Sequence, residues 1–107
     1  MNFENIIFIG PSGSGKTTEL QKYLDKQEDK DILIYQKYDE LKGPYRYLKT
    51  PVGFFMTSDN LSSVIGELTT PEDFHNALRV MCTGLKLATT MFARTYNEAI
   101  EKLIKNG

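Results

Sequence analysis

The segment GPSGSGKT at residues 10–17 has the residue types and spacing of a site for chemistry. It matches the pattern G-x-x-x-x-G-K-[ST], which forms a phosphate-binding loop where it joins a strand to a helix. Glycines permit backbone conformations that other residues avoid, so that the amides of residues 13–17 can converge on phosphate oxygens. The pattern predicts an anion site whose contacting residues are Gly10, Ser12, Gly13, Ser14, Gly15, Lys16, Thr17 and Thr18.

Two side chains of this segment have specific roles in the prediction. Lys16 supplies an ammonium group for the β and γ phosphates of a nucleoside triphosphate, and we take it as a catalytic residue. The hydroxyl of Thr17 is a ligand for Mg²⁺. The positive end of the helix that begins after the loop adds to the attraction for anions.

Phosphoryl chemistry of this kind also needs a second acid for Mg²⁺ and a cation for the transition state. Asp59 comes after the apolar run GFFMTS and is the first candidate metal ligand, with Asp39 and Glu40 as the alternative. Either candidate could equally be a helix cap or a solvated turn residue. Arg46, in the segment GPYRYLK, is the candidate catalytic arginine, because ligands bind beyond the carboxyl ends of parallel strands.

The elements that position these residues are predicted from hydrophobic patterning. Residues 3–9 predict a first strand, residues 15–27 a first helix, and residues 31–38 a second strand. Two prolines make residues 42–51 an irregular loop in the prediction. Residues 52–57 predict a third strand, and apolar positions at helical spacing between residues 61 and 68 predict a short helix.

The last third of the chain predicts helix. Thr70 is a candidate N-cap, with Pro71 after it at the first helical position and acids in the first turn. Apolar residues then recur at steps of three and four as far as residue 103, which predicts a long helix, and the break that we favour lies at Thr83-Gly84. If unbroken, the helix would protrude and offer its apolar face to another subunit.

Composition narrows the class of protein. A chain of 107 residues with 40% hydrophobic residues and a net charge of −1 is typical of one small globular domain. Because the net charge is close to zero, nucleic-acid binding would depend on a local patch, such as the tyrosines and lysines of residues 35–49. One Cys and one His exclude a metal site built on those residues. We expect a cytoplasmic protein without membrane contact, because the apolar runs are far shorter than a membrane span.

The loop GPSGSGKTT between a strand and a helix resembles that of the P-loop NTPase superfamily, particularly the loops of nucleotide kinases and ATP-binding cassette ATPases. The resemblance covers residues 3–38. It implies an α/β fold, a three-layer P-loop sandwich with a parallel sheet, and ATP or GTP with Mg²⁺ as ligands. For this chain we expect a short, mostly parallel sheet of about three strands. One domain spans residues 1–107, with an α/β part at 1–69 and a helical part with a long or broken helix at 70–107.

The functional prediction is a Mg-dependent ATPase or GTPase of low intrinsic rate. It would act as a homo-oligomer or with a protein partner bound through the C-terminal helix, since a small sheet leaves edges uncovered. Two alternatives stay open. One is a small phosphotransferase similar to nucleotide kinases. The other is a non-enzymatic interaction or inhibitor protein gated by nucleotide or phosphate, such as a virus-encoded regulator.

Overall fold

Five strands run parallel in one sheet of the computed structural model, which describes residues 4–11, 13–28, 31–50, 62–82 and 84–106. The strand order across the sheet is β1-β5-β4-β2-β3, so both of the long strands lie inside the sheet. In chain order the elements are β1 (Ile6–Gly10), α1 (Lys16–Asp25), β2 (Ile32–Tyr35), β3 (Arg46–Leu48), β4 (Ser62–Leu68), α2 (Pro71–Cys82), β5 (Lys86–Phe92) and α3 (Tyr96–Asn106).

The predicted α/β fold with a parallel sheet is confirmed, and its helices cover both faces. One apolar cluster, the α1-side cluster, joins Leu20 and Leu24 of α1 to Ile32 and Ile34 of β2 and to Val64 of β4. A second cluster, the α2-side cluster, lies on the opposite face and joins α2 and α3 to the sheet. It includes Leu33, Ile65, Phe74, Val80, Leu87, Met91 and Ala99. The molecule therefore has three layers. No helix within the described ranges is long and apolar enough to cross a membrane.

The predicted short helix between residues 61 and 68 is wrong, because Ser62–Leu68 forms β4. Val64, Ile65 and Leu68 fall at helical spacing, but Val64 and Ile65 are β-branched and point to opposite faces of the sheet. A strand that is covered by helices on both faces has a continuous run of apolar residues. The spacing of such residues does not distinguish the strand from a buried helix.

The predicted long C-terminal helix is wrong for the same reason. The predicted break is present, since α2 ends at Cys82 and Gly84 has a φ of 92°. The next element after the break is not a second helix but β5, whose Leu87, Ala88 and Met91 are all buried. Residues 70–107 thus contribute a strand between β1 and β4, and the described residues form a sheet of five strands where about three were expected.

The segment between β2 and β4 also differs from the expectation. Residues 42–51 were predicted to be irregular, yet Arg46–Leu48 forms β3, parallel to β2 at the sheet edge. The connection between these two strands has no helix. Leu41 and Tyr45 instead bury their side chains in the α1-side cluster, and this covers that part of the sheet. The predicted strand at residues 52–57 lies outside the described residues.

The predicted start of α2 is confirmed in detail. The amide of Asp73 donates to the hydroxyl of Thr70 at 3.2 Å, and the amide of Thr70 donates to the Asp73 carboxylate at 3.0 Å. This reciprocal pair is a capping box. The same carboxylate oxygen accepts bonds from the Thr69 amide and hydroxyl and from the ammonium group of Lys37, at 2.8 to 2.9 Å. One buried acid therefore ties the end of β2 to the end of β4 and to α2.

Two glutamines shape the connection after β2. Gln36 accepts hydrogen bonds at Oε1 from the amides of Glu40 and Leu41, at 3.2 and 2.8 Å. Gln21 of α1 accepts from the amide of Lys42 at 2.8 Å and donates to the Lys42 carbonyl at 2.9 Å. These bonds hold residues 40–42 against the first turns of α1.

We predict that Asp73→Asn lowers the free energy of unfolding by about 2 kcal/mol at neutral pH. Burial opposes ionisation of Asp73, but the bonds from Lys37, Thr69 and Thr70 outweigh it and lower the pKa to about 2. Because the folded-state pKa lies below the unfolded value of about 3.9, this stabilisation is complete above that value and is lost as the pH falls toward 2. Urea unfolding of wild type and variant between pH 7 and pH 2 measures the difference.

Asp39→Asn is the matched control for that experiment. Asp39 forms an exposed ion pair with Lys42 at 2.8 Å, and exposed pairs contribute about 0–1 kcal/mol. A difference between wild type and Asp73→Asn that stayed constant down to pH 2 would contradict the assigned role of the ionised carboxylate.

We predict that Gln36→Ala speeds hydrogen exchange at the amide of Leu41 by about tenfold or more, because this amide loses its acceptor. The amide of Glu40 also donates to the Tyr38 carbonyl at 2.8 Å and should be accelerated less. Exchange at Lys42, which is bonded to Gln21, should change little. Gln21→Ala is the matched control and should produce the reverse pattern. Equal acceleration at all three amides in both variants would show that the connection opens as one unit.

Candidate functional site

The predicted phosphate-binding loop joins β1 to α1, as the pattern requires. Gly13 and Gly15 have φ values of 77° and 88°, in the left-handed region that residues with a Cβ rarely adopt. Gly15 is also the N-cap of α1, and no side chain caps this end of the helix. The first amides of α1 therefore have no side-chain cap and face the loop, where an anion can accept from them.

The loop lies at the carboxyl edge of the sheet. Because all five strands are parallel, the last residues of β1, β5, β4 and β2 meet at this edge. The Ala93 amide donates to the Gly10 carbonyl at 3.1 Å and extends the β1–β5 pairing to the point where the loop starts. Any acid at the end of β2 or β4 is thus brought toward the loop.

Lys16 lies inward, with only 10% of its side chain exposed. Its ammonium group donates to the Pro11 carbonyl at 3.3 Å and lies 3.8 Å from the Glu67 carboxylate. The same group is 5.8 Å from the centre of the Phe92 ring, within the range of a cation–π contact. Lys16 is held between the ends of β4 and β5.

An irregularity in β4 brings Glu67 to this position. Ile65 pairs with Thr89 and Leu68 with Met91, so β4 has one more residue than β5 between these pairs. Such a bulge breaks the alternation of faces. Leu68 therefore returns to the α2-side cluster together with Ile65, while Glu67 has a side chain 44% exposed beside Lys16.

A second glutamate contacts the loop from the connection after β2. The hydroxyl of Thr17 donates to the Glu40 carboxylate at 3.5 Å. Glu40 lies on the connection that Gln36 shapes, and Gln36 is the first residue after β2. Glu40 belongs to the pair that sequence analysis named as the alternative metal ligand.

Two clefts join these groups. A shallow cleft of about 340 Å³ is lined by Gly13, Gly15, Lys16, Thr17 and Thr18, so the structure brings together five of the predicted loop residues. A neighbouring cleft of about 300 Å³ lies between the ends of β2 and β4 and is lined by Glu40 and Glu67, among others. Since Glu67 contacts Lys16 and Glu40 contacts Thr17, the second cleft adjoins the loop.

The structure does not bring Arg46 to this site. Arg46 is the first residue of β3 and therefore lies at the amino edge of the sheet, opposite the loop. Its guanidinium forms an ion pair with Asp31, which precedes β2, and its Nε donates to that carboxylate at 3.1 Å. The sequence pattern predicted that Arg46 lies in a loop beyond the carboxyl ends of the strands. Arg46 instead begins the short strand β3, and this places it at the amino edge of the sheet.

The tyrosines of residues 35–47 do not share one surface, because Tyr45 is buried whereas Tyr38 and Tyr47 are exposed. Tyr45 is buried in the α1-side cluster and meets Tyr47 edge-on, and the Tyr47 hydroxyl donates to the Gly43 carbonyl at 2.9 Å. Tyr38 is exposed. The structure thus favours a packing role for the connection between β2 and β3 over a nucleic-acid platform.

Two predicted site residues, Ser12 and Asp59, lie outside the described residues. Glu67 is the residue that sequence reasoning missed. The sequence signal was an acid at the end of an apolar run, SSVIGEL, which is the criterion that singled out Asp59. The assignment of this run to a helix removed Glu67 from consideration.

Comparisons with solved structures give the same fold. The VirB11 ATPase of the Brucella suis type IV secretion system, in complex with sulphate, has a TM-score of 0.80 and 18% identity, over 94% of this chain and 33% of that one. The Legionella pneumophila ATPase DotB has a TM-score of 0.74 and 20% identity, over 100% and 35% of the two chains. The pilus retraction motor PilT with bound ADP has a TM-score of 0.75 and 21% identity, over 97% and 36%.

The chain spans about one third of the length of these three structures, and at such identities the similarity establishes the fold alone. A comparison with curated proteins found no match. The predicted membership of the P-loop NTPase superfamily is confirmed. The sequence matches one family over residues 3–104, and the chain therefore belongs to the PduV-EutP family, described as ethanolamine utilisation - propanediol utilisation.

Proposed function

We propose that the chain binds ATP or GTP with Mg²⁺ and hydrolyses the bond to the terminal phosphate at a low intrinsic rate. One observation carries the proposal: the two side chains that end the phosphate-binding loop each contact a glutamate, Lys16 with Glu67 and Thr17 with Glu40. A loop that bound phosphate only as a structural ion would have no need of two carboxylates beside it.

Phosphate binding is expected from the charges of the loop. The amides of residues 13–17 and the N-terminus of α1 present partial positive charge to the β and γ phosphates. Lys16 adds a full charge, and a terminal phosphate would compete with Glu67 for its ammonium group. Since Lys16 is already held at the carboxyl edge, little conformational freedom is lost when it binds.

The residues around Thr17 fit a magnesium site. A threonine hydroxyl and a carboxylate are the hard oxygen ligands that Mg²⁺ prefers, and it takes most of its other ligands from water and phosphate. Within the described residues no three acids, histidines or cysteines gather as a metal cluster, and Mg²⁺ beside a nucleotide does not require one. Thr17 and Glu40 would hold the ion, which when bound neutralises charge on the β and γ oxygens.

Glu67 has the position of a base for hydrolysis. Its carboxylate lies beside Lys16 and lines the cleft that adjoins the loop. In the reaction a water oxygen forms a bond to the γ phosphorus while the bond to the β–γ bridging oxygen breaks. The proton of the water passes to Glu67, and the products are a nucleoside diphosphate and inorganic phosphate.

The expected oligomer belongs to this proposal. Tyr96 and Ile104 of α3 are 71% and 76% exposed, and this leaves apolar area for contact with a second copy. If a second copy completes the site, turnover per chain should rise with protein concentration.

We predict that Glu67→Gln lowers kcat for the hydrolysis of ATP or GTP by roughly 100-fold or more, because the amide cannot accept the proton. The Kd for the triphosphate should stay the same or fall, because the neutral amide no longer competes with the phosphate for Lys16. Released phosphate and binding are measured on the same samples. Glu72→Gln is the matched control, since Glu72 is exposed in the first turn of α2 and lines neither cleft.

Each contrary result has a distinct meaning. Full turnover by Glu67→Gln would remove Glu67 from the mechanism. Tight triphosphate binding by wild type without turnover would favour the nucleotide-gated interaction protein. Transfer of the terminal phosphate to an added nucleotide would favour the kinase-like phosphotransferase.

A further inference from the structure

Lys37 lies at the carboxyl end of β2, two residues beyond the strand. Its ammonium group donates to the Asp73 carboxylate and to the Thr69 hydroxyl, each at 2.9 Å. The side chain is 38% exposed, whereas that of Asp73 is 6% exposed. Lys37 is thus held by a buried acid on one side and is open to solvent on the other.

The open side of Lys37 belongs to the cleft beside the loop. This cleft is lined by Gln36, Lys37, Tyr38, Glu40, Gly66, Glu67 and Thr69. Lys37 is the only lysine or arginine among these lining residues, and both glutamates of the proposed site line the same cleft. Since those glutamates contact Lys16 and Thr17, Lys37 faces the space into which a terminal phosphate would extend from the loop.

The charge and geometry of Lys37 suit an anion. An ammonium group has three N–H donors, and Asp73 and Thr69 account for two of them. The hydrogen bond to Asp73 raises the pKa of Lys37, so the side chain stays protonated at neutral pH. Asp73 in turn is held by the amides of Thr69 and Thr70, which prevents it from moving with Lys37 into the cleft.

The proposed site has one side-chain cation, Lys16, beside Mg²⁺, and a second side-chain cation would offset more of the charge. Phosphoryl transfer places negative charge on the oxygens of the terminal phosphate, and one lysine offsets only part of it. Arg46 lies at the opposite edge of the sheet and is paired with Asp31. Glu40 and Glu67 add further negative charge near the terminal phosphate.

We propose that Lys37 contacts the terminal phosphate of a bound nucleoside triphosphate and gives the site its preference for triphosphate over diphosphate. This inference rests on the proposed function of the loop. Lys37 lies after β2 and outside the loop motif, and its contact with the γ phosphate distinguishes a triphosphate from a diphosphate.

The test compares the Kd values of Mg-ATP, Mg-ADP, Mg-GTP and Mg-GDP for wild type and Lys37→Met by calorimetry. Lys37→Met should weaken triphosphate binding by about tenfold, as expected for the loss of one charge-assisted hydrogen bond, and change diphosphate binding by less than about twofold. Lys37→Arg should restore the preference in part. Lys86→Met is the matched control, because Lys86 is exposed at the amino end of β5.

Lys37 also contributes to the Asp73 network, so the thermal midpoint of each variant is recorded. Lys37→Gln provides a second variant that can still donate a hydrogen bond to Asp73 but has no charge; it should lose the triphosphate preference as Lys37→Met does. An equal loss for tri- and diphosphate, or no loss in Lys37→Gln, would overturn the inference while the proposed function stands. Absence of nucleotide binding by wild type would overturn both.

Discussion

The candidate site depends on the register between β4 and β5, and hydrogen bonds from Thr89 and Thr90 to β4 fix that register. Both hydroxyls are buried, and each donates at 2.6 Å to a carbonyl of β4, that of Ile65 or that of Gly66. Buried hydroxyls require acceptors, so these bonds resist any slip of β4 against β5. These bonds lie beside the bulge at which β4 has one residue more than β5. Because of this extra residue, Glu67 lies beside Lys16, and without it the side chain of Glu67 would face the core.

The rest of the site depends on a sheet in which every strand is parallel. The loop, the end of β4 and the connection after β2 come to one edge of this sheet. Asp73 links the last two of these through Lys37 and Thr69, and Gln36 sets the path of the backbone at Glu40. The acids and cations of the site are therefore attached to the most buried strands, which favours preorganisation over closure of a mobile segment.

The features that could be predicted from sequence are those with short-range causes. The loop requires glycines at fixed positions in the sequence. The start of α2 requires Thr70, Pro71 and Asp73 in this order, so both features could be predicted from neighbouring residues. Strands β4 and β5 depend instead on burial between two layers of helices, a long-range condition. Their apolar residues satisfied a helical period as well as a strand, and a short segment does not separate the two. Glu67 was missed because its strand was missed, and Arg46 was misplaced because β3 is only three residues long.

The central claim is that residues 10–17 bind the phosphates of a nucleotide, and calorimetric titration of Mg-ATP and Mg-GTP into wild type and Lys16→Ala tests it most directly. We expect wild type to bind at least one of them with a Kd below about 1 mM and Lys16→Ala to bind it at least about tenfold more weakly. Lys105→Ala, which removes an exposed lysine from the last turn of α3, should bind as wild type does. No binding by wild type to either nucleotide, or equal binding by wild type and Lys16→Ala, would contradict the account.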